Sequence, residues 1–136
     1  MGRTNFSGPV AGAYNSFSWG VDQIASKTII KSWKAPANFR IDEISFEIDD
    51  VTITNAVTYV VAANAVDVIA SRAAPADDVF EIFTPTSSPA LLVRNMTKGH
   101  VLTLTTVTGV ADTIVGGTFT VSGHFTGHIV ANERND

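Results

Sequence analysis

The chain has 136 residues, 45% of them hydrophobic and 16% charged, which is typical of one globular domain and excludes a disordered chain. Its formal net charge is −4 and its nine Lys and Arg residues are scattered, so we expect binding neither to nucleic acid nor to an anionic membrane. It contains no cysteine, which excludes disulfides and thiolate metal sites and fits a protein made in a reducing cytoplasm.

The first 26 residues show no hydrophobic periodicity and carry four aromatic side chains, Phe6, Tyr14, Phe17 and Trp19. Polar residues interrupt every apolar run in this segment, so we expect no secretory signal. The whole sequence has no run of about 18 apolar residues, so we expect no membrane-spanning helix. We therefore predict an extended N-terminal arm over residues 1–26. Its aromatic side chains are costly to leave in water, so they either fold back over the chain's own sheet or dock onto a partner.

From residue 27 to residue 136, short apolar runs with period-two alternation predict one β domain. Abundant Val, Ile, Thr and Phe favour strands over helices. Segments rich in Pro, Gly, Asp and Ser separate the runs, as is typical of turns. Strands are predicted near Lys27–Lys34, Phe39–Asp49, Ala56–Ala63, Val66–Arg72, Val79–Phe83, Ala90–Asn95, His100–Val107 and Thr118–Val130.

Two of these strands indicate how the sheets are built. The last one has an apolar face of Phe119, Val121, Phe125 and Ile129. In Phe39–Asp49 the apolar positions change phase near Asp42-Glu43, which predicts a bulge or a sharp bend that would let one strand serve two sheets. About eight strands of this length predict an all-β antiparallel β-sandwich, with a jelly roll favoured over an immunoglobulin-like sandwich.

The residues that could support catalysis or bind a metal do not converge in the sequence. The histidines are His100, His124 and His128. On a strand the last two lie about 13 Å apart, too far to share one metal ion. The acidic pairs Asp49-Asp50 and Asp77-Asp78 are interpreted as strand-end or turn residues, and Gly116-Gly117 as a turn. No nucleophile elbow or phosphate-binding glycine motif occurs, so we expect no enzyme activity, no metal and no cofactor.

The opening segment, Arg3-Thr4-Asn5-Phe6-Ser7-Gly8-Pro9-Val10, is followed by a Ser/Gly-rich stretch and then by the β domain. This arrangement resembles small virion proteins of tailed bacteriophages, particularly capsid decoration (cement) proteins. The later segments Leu91–Leu104 and Gly117–Val121 resemble the last strands of viral jelly rolls.

The resemblance implies a non-enzymatic protein that is assembled in the host cytoplasm and lies on the capsid surface of the virion. It also implies a homotrimer whose partner is the major capsid protein, bound through the arm. The residues that would contact the capsid or a neighbouring subunit are Arg3, Asn5, Phe6, Pro9, Tyr14, Phe17 and Trp19.

The alternative function is a receptor- or carbohydrate-binding head module of a phage head or tail fibre. Recognition would then lie in the predicted loops Ala73–Asp78, Thr84–Pro89 and Thr108–Gly117. A small hydrolase or metal-dependent enzyme is a third class, which the scattered reactive residues disfavour.

Overall fold

The structure, a computed structural model, describes residues 11–23, 27–52, 57–74, 80–108 and 113–126. These residues form nine strands: β1 Tyr14–Gln23, β2 Thr28–Lys34, β3 Phe39–Thr52, β4 Thr58–Ala63, β5 Val66–Ala73, β6 Phe80–Phe83, β7 Asn95–Met96, β8 Val101–Val107 and β9 Thr113–Phe125. Within the described ranges, no helix is long and apolar enough to cross a membrane.

The strands form two antiparallel sheets packed face to face, which confirms the predicted all-β sandwich. The first sheet has the order β1-β9-β3-β6, with β7 also pairing with β3, and the second has the order β2-β8-β4-β5. The pairing is nested: β1 pairs with β9, β2 with β8, β3 with β6 and β4 with β5. The jelly roll stays a prediction.

The two sheets meet at an aromatic cluster in the middle of the core. Phe46 of β3 stacks on Phe119 of β9 with ring centroids 3.6 Å apart. Tyr59 of β4, in the opposite sheet, turns its ring edge-on to both, with centroid distances of 5.0 and 5.1 Å. All three side chains are fully buried, so hydrophobic burial and ring packing together hold the sheets in contact.

The predicted bulge is confirmed, because the register between β3 and β9 shifts between Ile41 and Glu43. The shift places Ile41 and Ile44 in the core although they are three residues apart. In the described residues β3 pairs only within the first sheet, so the expectation that the bend serves two sheets is wrong.

Gly123 of β9 pairs with Ile41 at this bulge. A Cβ atom on Gly123 would lie 2.1 Å from the Arg40 carbonyl oxygen and 2.6 Å from a ring carbon of Phe39. The position therefore requires glycine because the neighbouring backbone approaches too closely for any side chain.

The predicted arm needs a correction, because Tyr14–Gln23 forms an edge strand of the first sheet. Its side chains alternate, with Phe17, Trp19 and Val21 turned toward the core and small or exposed residues between them. The sandwich therefore begins at β1 and not after residue 26. Residues 1–10 and 24–26 lie outside the described residues.

Other predicted boundaries also change. The strand expected at Ala90–Asn95 is reduced to β7, since the chain from residue 84 to residue 94 forms a loop closed by the Leu91 amide, which donates to the Thr84 carbonyl at 3.0 Å. Gly116-Gly117 lies inside β9 and Asp49-Asp50 inside β3, so neither pair forms the predicted turn. Asp77-Asp78, His128 and Ile129 lie outside the described residues.

Candidate functional site

The residues predicted to contact a capsid or a neighbouring subunit have different locations. Arg3, Asn5, Phe6 and Pro9 lie outside the described residues. Tyr14 lies at the start of β1 with 62% of its surface exposed, whereas Phe17 is half-buried and Trp19 is only 8% exposed. Of the described candidates, Tyr14 alone presents a largely exposed side chain.

Phe17 and Trp19 belong to a series of packed aromatic rings on one side of the sandwich. Phe17 stacks on Trp33 of β2 with ring centroids 4.5 Å apart, and Trp19 meets Phe17 edge-on at 5.4 Å. Trp33 in turn packs edge-on against Phe39 at 5.0 Å. Because exposing Trp19 would open the core, the prediction of Phe17 and Trp19 as partner-binding anchors is corrected: both side chains project from β1 into the chain's own sandwich.

A row of polar and aromatic side chains crosses the outer face of the first sheet near the start of β3. The register pairs Tyr14 with His124, His124 with Arg40, and Arg40 with Asn95, so the row spans four neighbouring strands. Tyr14 also meets the His124 ring edge-on, with centroids 5.5 Å apart. The members of the row lie side by side because they are register partners on adjacent strands.

The bulge adds a carboxylate to this row. One Asp42 oxygen hydrogen-bonds Nδ1 of His124, and the other lies 3.4 Å from an Arg94 nitrogen and 3.5 Å from Nε of Arg40. Arg94 also donates through Nε to the Ile41 carbonyl at 3.3 Å. The Asp42 carboxylate thus faces two guanidinium groups and an imidazole, and the next carboxylate along β3 is that of Glu43, opposite Ser122.

Further cationic residues lie at the same end of the sandwich. Lys34 ends β2, and the next residue, Ala35, donates its amide to the His100 carbonyl at 2.9 Å. Lys98 lies in the adjacent turn, where its amide donates to Oδ1 of Asn38 at 2.8 Å. We call this surface the basic end, and it comprises Lys34, Arg40, Arg94, Lys98, His100 and His124. The carboxylates near it are Asp42, Glu43 and Asp67.

The histidines of the basic end do not form a metal centre. His124 is occupied by Asp42, whereas Nδ1 of His100 accepts a hydrogen bond from the Thr97 amide at 3.4 Å. Among the described residues, no group of three or more His, Asp or Glu side chains could hold a metal ion.

A second ionic cluster connects the two sheets near β6. The Tyr59 hydroxyl donates to one Glu81 oxygen at 2.7 Å, and Arg72 donates to the other at 2.9 Å. Arg72 also lies over the Phe83 ring, 5.2 Å from its centroid. Burial, and then the Glu81 carboxylate, raise the pKa of Tyr59 well above its usual range, so this phenol stays protonated and holds Glu81 as a donor.

A mainly apolar cleft of about 200 Å³ lies beside this cluster, between β5 and the loop that follows β6. Its lining includes Ile69, Phe83, Pro89 and Leu92, together with Arg72. The Leu92 amide donates to the Val68 carbonyl at 2.9 Å, which fixes the loop against β5. The cleft can accept one apolar side chain or a small ligand group.

Comparison with known proteins adds no constraint on function, because no protein-family model, curated protein or solved structure matches the chain. The sequence had indicated the bulge at Asp42 but not its ionic partners. Arg94 and His124 lie 52 and 82 positions from Asp42, and only the strand register brings the three together.

Proposed function

We propose that the chain is a non-enzymatic structural protein of a tailed-phage virion, a decoration or cement protein that binds and stabilises the shell of major capsid protein. The proposal rests on the resemblance of residues 3–10 to such proteins. The antiparallel two-sheet sandwich with nested strand pairing supports it, because the jelly roll that we propose for this chain is a sandwich of this kind and is common in viral capsid domains.

Under this proposal the sandwich is a rigid body and the segment before β1 is an additional contact. β1 begins beside the end of β9, with Tyr14 opposite His124. The described chain thus begins, at Ala11, close to the basic end, and the proposed anchors are Tyr14 together with Arg3, Asn5, Phe6 and Pro9. A homotrimer would multiply these weak contacts by raising their effective concentration.

The test compares the full-length chain with a variant that lacks residues 1–10 and keeps β1 intact. We expect the full-length protein to co-sediment with purified expanded phage capsids and to raise their melting temperature, and the variant to bind more weakly. Light scattering after size-exclusion chromatography should give a trimer. Equal capsid binding by both forms would contradict the role of the segment, and no binding by either would refute the proposal.

The apolar cleft favours a second candidate, the receptor- or carbohydrate-binding head module. The cleft adjoins the loop Thr84–Pro89, one of the three loops in which the sequence places such recognition. A glycan-array signal that survives deletion of residues 1–10 and is lost in Leu92→Arg would favour this candidate over the capsid protein. The matched control is Leu92→Ala, which keeps the cleft open.

A further inference from the structure

We infer that the basic end is a docking surface for an acidic protein surface, with partner carboxylates bound by Arg40, Arg94 and Lys98. The inference rests on the proposed function only because it assumes that the chain acts by binding another protein. It adds the location of the contact and the chemistry of the partner.

The first argument is the number of donors around Asp42. Each guanidinium group carries five N–H donors in a planar fork, and carboxylates are its preferred partner. Asp42 is one carboxylate for two such groups, at the long distances of 3.4 and 3.5 Å. Arg40 and Arg94 keep 46% and 37% of their side-chain surface exposed, so both can bind a second carboxylate without leaving Asp42.

The second argument is the shape of the surface. Tyr14, His124, Arg40 and Asn95 lie side by side across four strands, a row of roughly 14 Å at the usual strand spacing. A small ligand on the outer face of a sheet would stay largely in water, whereas small-molecule sites are concave. A protein surface can cover the whole row and desolvate its charges, and Tyr and Arg are enriched in the centres of such interfaces.

The third argument is the distribution of charge along the strands. Among the described residues, the exposed carboxylates Asp22 and Glu47 lie away from the basic end, Asp22 near the end of β1 and Glu47 in the second half of β3. This separation gives an overall acidic chain a positive end, which would orient an acidic partner during approach. A nucleic acid would instead need a continuous basic stripe, and here Asp42 and Asp67 interrupt the positive surface.

The experiment titrates the isotope-labelled full chain with a short polyglutamate peptide and follows backbone amide signals by NMR at low salt and at 0.15 M salt. We expect shifts confined to the basic end, around Tyr14, Arg40, Arg94 and His124, which weaken at the higher salt. A polylysine peptide of equal length should produce none of these shifts.

The variants are charge-matched. Arg40→Gln with Lys98→Gln removes two positive charges from the basic end, and Thr28→Glu with Ile30→Glu changes the net charge equally on the exposed face of the second sheet, at the other end of β2. The first pair should weaken polyglutamate binding about tenfold, as expected for lost charge-assisted contacts, and the second pair should leave it within about twofold.

Equal weakening by both pairs, or shifts away from the basic end, would overturn the inference. Tighter binding of an oligogalacturonate or of a DNA oligonucleotide than of polyglutamate would overturn its assignment to a protein partner. Failure of the peptide to bind refutes the basic-end surface alone, since capsid binding is measured separately. Loss of capsid binding with retained peptide binding refutes only the proposed function.

Discussion

Two carboxylates of this molecule, Glu81 and Asp42, each bridge strands by accepting hydrogen bonds, and they differ in what surrounds them. Glu81 accepts from Tyr59 of the opposite sheet and from Arg72 at 2.7 and 2.9 Å, and its side chain is 19% exposed. Asp42 is 29% exposed and meets its arginines at 3.4 and 3.5 Å.

The difference shows how one type of ion pair can serve either packing or recognition. Breaking a partly buried pair with short hydrogen bonds leaves a poorly compensated charge, so the Glu81 cluster stabilises the contact between the sheets. A pair at the surface contributes little to stability because water and salt screen it. The exposed arginines of the Asp42 cluster can therefore bind a further carboxylate at small cost to stability.

The largest loss of stability is expected from disrupting the β-bulge that positions Asp42. Gly123→Ala places a methyl group against the Arg40 carbonyl, so it should cost roughly 4 kcal/mol or more, or prevent folding. The control is Gly20→Ala in β1, where a Cβ would meet no atom within 4 Å, and it should change stability by less than about 0.5 kcal/mol. Urea unfolding of both variants gives the comparison; similar losses would show that the close approach is not the cause.

The direct test of the comparison neutralises each carboxylate in turn. Glu81→Gln removes the charge that faces Arg72 and should cost about 2 kcal/mol, discounted for partial exposure of the arginine. Asp42→Asn should cost less than about 1 kcal/mol and should strengthen polyglutamate binding. Chemical denaturation measures both, and a larger loss for Asp42→Asn would reverse the assignment of the two clusters.

A smaller loss of stability is expected when the pH is raised into the alkaline range. Because the folded-state pKa of Tyr59 is raised, the unfolded chain releases this proton first as the pH rises above about 10, the usual value for tyrosine. Stability should therefore fall by up to about 1.4 kcal/mol per pH unit above that value.

Denaturation at pH 9 and pH 11 measures this loss. It should be much reduced in Tyr59→Phe and retained in Tyr14→Phe, which alters the exposed phenol. Equal pH dependence in the two variants would argue against a role for burial of Tyr59.

The smallest loss of stability is expected on the outer face of the first sheet, beside the row of Tyr14, His124, Arg40 and Asn95. Ser16 shares a hydrogen bond with Ser122 at 3.2 Å, and Ser18 with Thr120 at 3.0 Å, both exposed to water. Ser16→Ala and Ser18→Ala should each change the free energy of unfolding, measured by urea denaturation, by less than about 0.5 kcal/mol. A loss above about 1 kcal/mol would mean that this face is more shielded than its exposure indicates.

Most strands after residue 27 could be predicted because apolar alternation and turn residues are local signals, whereas the strand predicted at Ala90–Asn95 is mainly a loop. β1 was missed although Phe17, Trp19 and Val21 alternate, because serines and glycine between them resemble a linker. Gly116, with φ of 71°, looks like a turn residue and lies inside β9. The ionic clusters could not be predicted, because they depend on the register between strands far apart in the chain.

The nested pairing of the strands has a consequence for how the chain folds. Ser16 and Ser122 are 106 positions apart, whereas β4 and β5 are joined by the two-residue turn Asn64-Ala65. Loop-closure entropy then favours formation of the central hairpin first and of the β1–β9 pair last, and folding should be slow for a domain of this size. Pulse-labelled hydrogen exchange during refolding should protect Val61 before Phe17; simultaneous protection would contradict this order.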